Sequence, residues 1–299
     1  LKVYAYRVVQ RGPRSLEQML AELNLRPLEQ RVFDASSVGL RLEHTTSDGA
    51  FVFADFAAAR VGHGPGKMSA NGPLTEIELE DGEAFGEDTG FVYHPPSGYL
   101  ALQYNHAGPR VARVAQYLIA ADLSLGGVRQ ALPGEATIDR AGFSFGAVLK
   151  PDAYSRLARF GIIKELEFEV SVPGARASDR AMGRSLSDIL DAPLPSGIDT
   201  IKISMRASRE AGGQLGRSGA MQIIDDLHGL GAMVQGGYVK GKQDEGTRLE
   251  AVDLVQERLS SEALVTTGRG RRYTRTDRWG AMERILDGWL TTGALPVAP

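Results

Sequence analysis

The sequence of 299 residues predicts an α+β protein in two domains, with mostly antiparallel sheets and helices packed against them. Three observations lead there. Runs that alternate apolar and polar residues recur along the chain, as half-buried strands do. Apolar stripes with helical spacing are interleaved with those runs. The turn-forming Pro95-Pro96-Ser97-Gly98 joins two of the strands directly.

Taken in order, Lys2 to Val9 alternates and reads as an opening strand. Ser15, followed by Leu16, Met19, Leu20 and Leu23, reads as an N-capped helix with one apolar stripe. Strands are expected near 38–44 and 50–57, then a loop at Gly62-His63-Gly64-Pro65-Gly66-Lys67, then strands at 74–80, 89–94 and 98–104. Pro109 suits the first turn of a helix whose buried stripe is Val111, Val114, Ala115 and Leu118. Gly126-Gly127 and Pro133-Gly134 mark the domain boundary, giving domains at 1–132 and 133–267. The C-terminal segment 268–299 is offered as a completion of the first domain. Beyond the boundary the pattern predicts a strand at 142–149, a helix opened by Pro151-Asp152 and a strand from Ile162 to Val172. An Arg/Gly/Ser-rich loop (Pro173 to Arg184) and a short helix at 185–191 follow. A strand (Ile198 to Met205), a helix (217–229) and a strand (231–242) come next. Residues 251–265 fit helix or strand. The last helix is capped by Thr276 or Asp277 and carries Trp279, Met282, Ile285, Leu286 and Trp289 on one face.

Composition narrows the function. Apolar residues make up 42% and charged residues 24%, ordinary for a soluble globular chain. Net charge is −3 with a pI of about 6.0, so any nucleic-acid contact must come from a local patch. There is no cysteine, which excludes thiolate metal sites and disulfides and fits a cytoplasmic protein. No apolar run approaches membrane-spanning length.

Four constellations could carry chemistry. Gly236-Gly237-Tyr238-Val239-Lys240-Gly241-Lys242-Gln243 nearly spells a phosphate-binding loop, but Gln243 stands where the magnesium-binding hydroxyl belongs, and acid follows where a helix should open. As a strand end, the same stretch puts Lys240 and Lys242 on one face, with Arg248 just past the turn. Gly142-Phe143-Ser144-Phe145-Gly146 matches a nucleophile elbow, with His228 downstream and Asp188 or Asp199 between them. The elbow needs a helix directly after the serine, whereas Ala147-Val148-Leu149 continues as strand. The alternating Glu76, Glu78, Glu80 and Asp81 read as a solvated strand face. Finally, Arg269, Arg271, Arg272, Arg275 and Arg278 crowd ten residues, and Arg110 and Arg113 open a helix with Tyr117 on the same face. Such rows can hold phosphates. Arg275 and Arg278 at a helix N-terminus oppose the helix dipole unless an anion or carboxylate compensates. The five histidines show no paired metal-binding spacing.

Several of these segments together resemble the phage exclusion family of lambda RexA and its relatives in other temperate phages. The resemblance is carried by Tyr238-Val239-Lys240-Gly241-Lys242-Gln243-Asp244-Glu245-Gly246, by Thr89-Gly90-Phe91-Val92-Tyr93 and Gly98-Tyr99-Leu100-Ala101, and by Gly108-Pro109 ahead of Tyr117-Leu118-Ile119. The chain departs from the family in the glycine-rich loop at 62–66 and in having Lys240 where an arginine can stand. The resemblance implies an RdgC-like, two-domain homodimer without a cofactor that binds double-stranded DNA nonspecifically, with Lys240 and Lys242 as contacts. It places the protein in the cytoplasm of a bacterial host. It further implies a non-enzymatic role in phage exclusion or the lysis–lysogeny decision of a prophage. Arg248, Arg269, Arg271, Arg272 and Arg275 join the expected DNA-binding set on charge clustering. A serine hydrolase using Ser144, or a protein-interaction module built on the Trp279/Trp289 helix, are the rival readings. A membrane-protein partner leaves no mark in the sequence.

Overall fold

The computed structural model of the chain describes all residues except 11, 36–37, 61–63, 127–128, 131–137, 140–141, 172–199, 209, 211, 231–233, 269–271 and 296–299. In chain order the first elements are β1 (Lys2–Gln10), α1 (Leu16–Asn24), β2 (Val32–Ala35), β3 (Val38–Asp48) and β4 (Phe51–Ala59). A small hairpin, β5 (Lys67–Ser69) and β6 (Gly72–Thr75), precedes β7 (Gly86–His94), β8 (Tyr99–Gln103) and α2 (Val111–Ser124). Then come β9 (Arg129–Gln130), β10 (Ile138–Asp139), β11 (Phe143–Ala147), α3 (Pro151–Arg159), β12 (Ile162–Ser171) and β13 (Thr200–Arg206). The described chain closes with α4 (Arg217–Leu230), β14 (Val234–Lys242), β15 (Glu250–Asp253), β16 (Ser260–Glu262) and α5 (Arg275–Thr291). The architecture is mixed, with antiparallel sheets and packed helices, as the interleaved periodicities predict.

The larger sheet runs β11-β1-β8-β7-β4-β3-β2. β1 is shared on one side: β16 pairs Lys2–Tyr4 and β11 pairs Tyr6–Gln10. Because strand side chains alternate, the sheet buries both faces. One face, with Tyr6, Leu40, Phe56, Phe91 and Leu102, takes the stripe of α1 (Leu16, Met19, Leu20, Leu23) and that of α2 (Val111, Val114, Leu118). The other, with Val3, Ala5, Phe53 and Val92, takes Trp279, Met282, Leu286 and Trp289 of α5. Burying each such side chain stabilises the fold by about 1.5–3 kcal/mol. The smaller sheet, β13-β12-β14-β15, buries Leu166, Phe168, Val239 and Val252 against α3 and α4.

Local chemistry sets several boundaries. Ser15 accepts from the Gln18 amide while Gln18 answers the Ser15 amide, a closed capping box on α1. α5 begins at Arg275 with Thr274 as its cap, slightly before the expected Thr276 or Asp277, because the Thr274 hydroxyl accepts from the Asp277 amide. α2 is capped at Arg110, so Pro109 lies just outside the helix, its carbonyl accepting from Thr89 at 2.7 Å. The strand expected over 74–80 ends at Thr75; Glu76, Glu78 and Glu80 have no ladder partner and stay exposed in irregular backbone. Residues 251–265 resolve into two short strands, β15 and β16.

Past the expected boundary at 132/133 the larger sheet still gains a strand. The chain returns to the larger sheet as β11, and Gly142 makes this return possible. Its φ is +69°, and a Cβ there would lie 2.6 Å from the Ile119 Cα. Its amide donates to Asp122 at 2.8 Å, tying the return to α2. The chain leaves for the smaller sheet only around Leu149 and comes back at Arg258, which bridge to each other. Lys150 and Arg156 both pair with Glu257 at that crossing. The Arg/Gly/Ser-rich loop and the 185–191 helix lie outside the described residues.

Candidate nucleic-acid interface

Residues 236–242 lie in β14, held by β12 on one side and β15 on the other. After Gln243 the chain makes a tight turn: Asp244 accepts from the Gly246 amide at 2.9 Å, and the Asp244 amide donates to Thr247 at 3.0 Å. No helix opens there, so the backbone lacks the amide cradle of a nucleotide-binding loop.

Val239 is buried, so Tyr238, Lys240 and Lys242 project from the opposite face of β14. Opposite them in register lie Tyr238↔Glu167 and Lys240↔Glu165, and on the far side of β12 Glu165↔Arg206 and Glu169↔Lys202. One face of three adjacent strands therefore carries Lys202 and Arg206, then Glu165, Glu167 and Glu169, then Tyr238, Lys240 and Lys242. α3 and α4 pack on the other face, and among the described residues no helix covers this one.

The charges on this face are paired. Lys240 donates to Glu165 at 3.0 Å and lies 4.5 Å from the Tyr238 ring centre. Arg206 reaches Glu165 at 2.7 Å, and Lys202 reaches Glu167 at 2.6 Å. The Tyr238 hydroxyl donates to Glu165 at 3.0 Å and Glu167 at 3.2 Å. Lys242 instead pairs with Glu245 in the turn. The hydrogen bond from Lys240 holds the Glu165 carboxyl below its usual range and raises the Lys240 ammonium in return. Lys202 does the same to Glu167. The side chains of Arg206 and Lys202 are 67% and 60% exposed, and such pairs exchange partners at little cost. Arg248 is exposed on the segment leading to β15.

The C-terminal arginines that are described, Arg272, Arg275 and Arg278, pair with carboxylates of the larger sheet. Arg269 and Arg271 lie outside the described residues. Arg272 donates to the Gly86 carbonyl at 3.0 Å and pairs with Asp88. Arg275 donates to Asp55 at 2.7 Å, and Arg278 sits between Asp55 at 2.6 Å and Asp88 at 2.7 Å. The Trp279 indole also donates to Asp55, at 2.9 Å. These carboxylates supply the compensation that cations at the first turn of α5 require. Burial is the largest influence on Asp55 and raises its carboxyl, against the pull of Arg278, Arg275 and Trp279. At Asp88 burial also opposes the charge, but Arg278 and Arg272 outweigh it and hold the carboxyl below its usual range. Arg272 and Arg275 thus dock α5 on the larger sheet instead of joining Lys240 and Lys242 on the smaller one.

Two further expectations are resolved. Tyr117 does not accompany Arg110 and Arg113 on the surface: it is fully buried, its hydroxyl accepting from Leu42 at 3.0 Å and donating to Arg31 at 2.9 Å. Ser144 is a strand residue paired with Val9, between buried Phe143 and Phe145, and the next helix opens only at Pro151. That is not the strand–turn–helix of a nucleophile elbow. Asp188 and Asp199 lie outside the described residues.

The sequence reading passed over Glu165, Glu167 and Glu169, although the alternation Glu-Leu-Glu-Phe-Glu-Val on β12 announces an acidic outer face. It also passed over Asp55, whose signal is a lone acid within the apolar run Phe51 to Ala59. Among the described residues no cluster of three or more His, Cys, Asp or Glu is placed to hold a metal ion, and no helix is long and apolar enough to cross a membrane. No family model matches the chain, and no curated protein matches it in sequence.

Proposed function

We propose that this chain is a non-enzymatic protein that binds double-stranded DNA without sequence preference, through the outer face of the smaller sheet. The observation that carries the reading is the placement of Lys240 and Lys242 with Lys202 and Arg206 on one face that no helix among the described residues covers. A sheet face bearing cations on both sides of a central strand can follow a phosphate backbone, and Tyr238 adds a hydroxyl that phosphate oxygens accept from. The three glutamates of β12 limit the affinity: each phosphate must replace a carboxylate as partner. Binding is therefore weak and salt-sensitive, with contact at Lys202, Arg206, Lys240 and Lys242 giving a log–log salt slope of about −3.6.

The wider setting rests on the sequence resemblance alone. It is an RdgC-like two-domain homodimer in the cytoplasm of a bacterial host, acting in temperate-phage exclusion or the lysis–lysogeny decision. Gel shifts on a random-sequence duplex over a salt series test the binding claim. The Lys240→Ala/Lys242→Ala variant should lose most of the affinity and flatten the salt slope. Unchanged affinity in that variant removes the two lysines from the site; salt-insensitive binding or none by the wild type ends the reading.

A further inference from the structure

A second surface, on the larger sheet, alternates cations with aromatic rings. Lys2 lies 5.4 Å from the Tyr4 ring centre, Tyr4 meets Tyr104 edge-on at 5.8 Å, and the Arg110 guanidinium lies 5.3 Å from the Tyr104 ring. Arg110 continues the row by donating to the His106 Nδ1 at 3.0 Å. Two stretches distant in sequence build it: the start of β1 and the run from the end of β8 to the cap of α2. The Tyr104 amide donates to the Lys2 carbonyl at 2.8 Å, which fixes the two ends beside each other. Asn105 locks the following turn, donating to Asp88 at 2.8 Å and accepting from Ala107 at 3.1 Å. Gly108 fits closely there: a Cβ would lie 2.6 Å from the Asn105 side-chain nitrogen and 2.9 Å from the Thr89 hydroxyl.

From this row we infer a binding surface for single-stranded nucleic acid. Tyr104 is 42% exposed, an aromatic left in water where the sheet has packed its other rings. Arg110 and His106 are exposed beside it. Among the described residues Arg110 meets a ring face and an imidazole instead of a carboxylate, so its charge is available to an anion. The first turn of α2 contains no acidic residue to oppose one. Lys2 has Glu262 at 3.9 Å, a 75% exposed side chain that phosphate displaces readily. Rings spaced between cations suit a strand whose bases stack while its phosphates are neutralised; a duplex, with its base faces already stacked, cannot use the rings in this way. The inference uses none of the residues of the smaller sheet and stands apart from the duplex-binding proposal.

Fluorescence anisotropy of a labelled oligo-dT tests it, with the full chain and with Tyr104→Ala, Tyr104→Phe and Arg110→Ala. Tyr104→Ala should weaken binding about tenfold, while Tyr104→Phe stays close to wild type because the ring remains. An abasic oligomer of equal length should bind more weakly than oligo-dT. The Lys240→Ala/Lys242→Ala variant should keep its affinity for oligo-dT whatever it does to duplex binding, which separates the two proposals. Photocrosslinking of a bromodeoxyuridine oligomer to the wild type, with the adducts mapped by mass spectrometry, needs no variant to fold and should mark Tyr104 or Tyr4. No oligo-dT binding, equal affinity in Tyr104→Ala, or crosslinks confined to other surfaces would overturn the inference.

Discussion

Arg278 donates to Asp55 over 2.6 Å at a point where the two residues are 2% and 1% exposed. They stand 223 positions apart, and their pairing joins the last helix to the centre of the larger sheet. Gly90 makes room for it. A Cβ there would lie 3.0 Å from the Arg278 Nε and 3.1 Å from the Met282 sulfur.

Removing one member of a buried pair leaves the other charge without compensation. Arg278→Met should destabilise the protein by about 3–5 kcal/mol, because Asp55 and Asp88 both lose a partner. The shift in the urea midpoint measures it. A change within error would mean that Arg275 and Arg272 suffice to neutralise the two carboxylates.

The same network predicts a particular acid response. Asp88 has a folded pKa below its ordinary 3.8, so its contribution is present above that value and is lost as pH falls through the folded pKa. Asp55 is raised, so its effect has the opposite sign: stability present below its ordinary 3.8 is lost as pH rises through the folded pKa. Asp88→Asn should flatten the acid limb of stability against pH, and Asp55→Asn should steepen it. Unfolding midpoints between about pH 2 and pH 7 report both slopes.

Tyr117 offers a test in the other core. Tyr117→Phe keeps the ring but leaves the buried Leu42 amide without its acceptor and the Arg31 carbonyl without its donor. Thermal unfolding should register a loss of about 1–3 kcal/mol. Were Tyr117 part of a surface phosphate site, the loss would appear in DNA affinity with stability unchanged.

Glu165 sits between Lys240 and Arg206 and holds both. On the proposed DNA-binding face, Glu165→Gln removes one negative charge from the path of the phosphates. At a few ångströms in water this is worth about 1 kcal/mol, or about a fivefold gain in duplex affinity. The gain should fade at high salt. Equal affinity in wild type and variant would show that phosphates do not approach this row.

Much of the fold was legible because it is written in local geometry. The stripe Leu16, Met19, Leu20 and Leu23 repeats with the helical period, and all four residues are buried. The strand character of Tyr238 and Val239 likewise argues against a nucleotide loop, and β14 runs through both. Where the reading misplaced an element, the missing information was a partner. The run after Leu74 alternates like a strand yet finds no ladder past Thr75, and beyond the Gly/Pro signals near 126–134 only the pairing with β1 shows where β11 lies.

Periodicity, capping residues and charge content thus determined by themselves the type of most elements, the two-sided character of β14 and the need for an anion or carboxylate near Arg275 and Arg278. Only the tertiary structure decided that Asp55 and Asp88 fill that need. It also assigned Lys240 to Glu165 and Tyr104 to Arg110, and gave Arg272 and Arg275 to helix docking. The reason is physical: alternation and helical spacing follow from backbone dihedrals a few residues long. An ion pair forms through space between whichever charges the packed sheets bring within a few ångströms, and sequence distance plays no part in that.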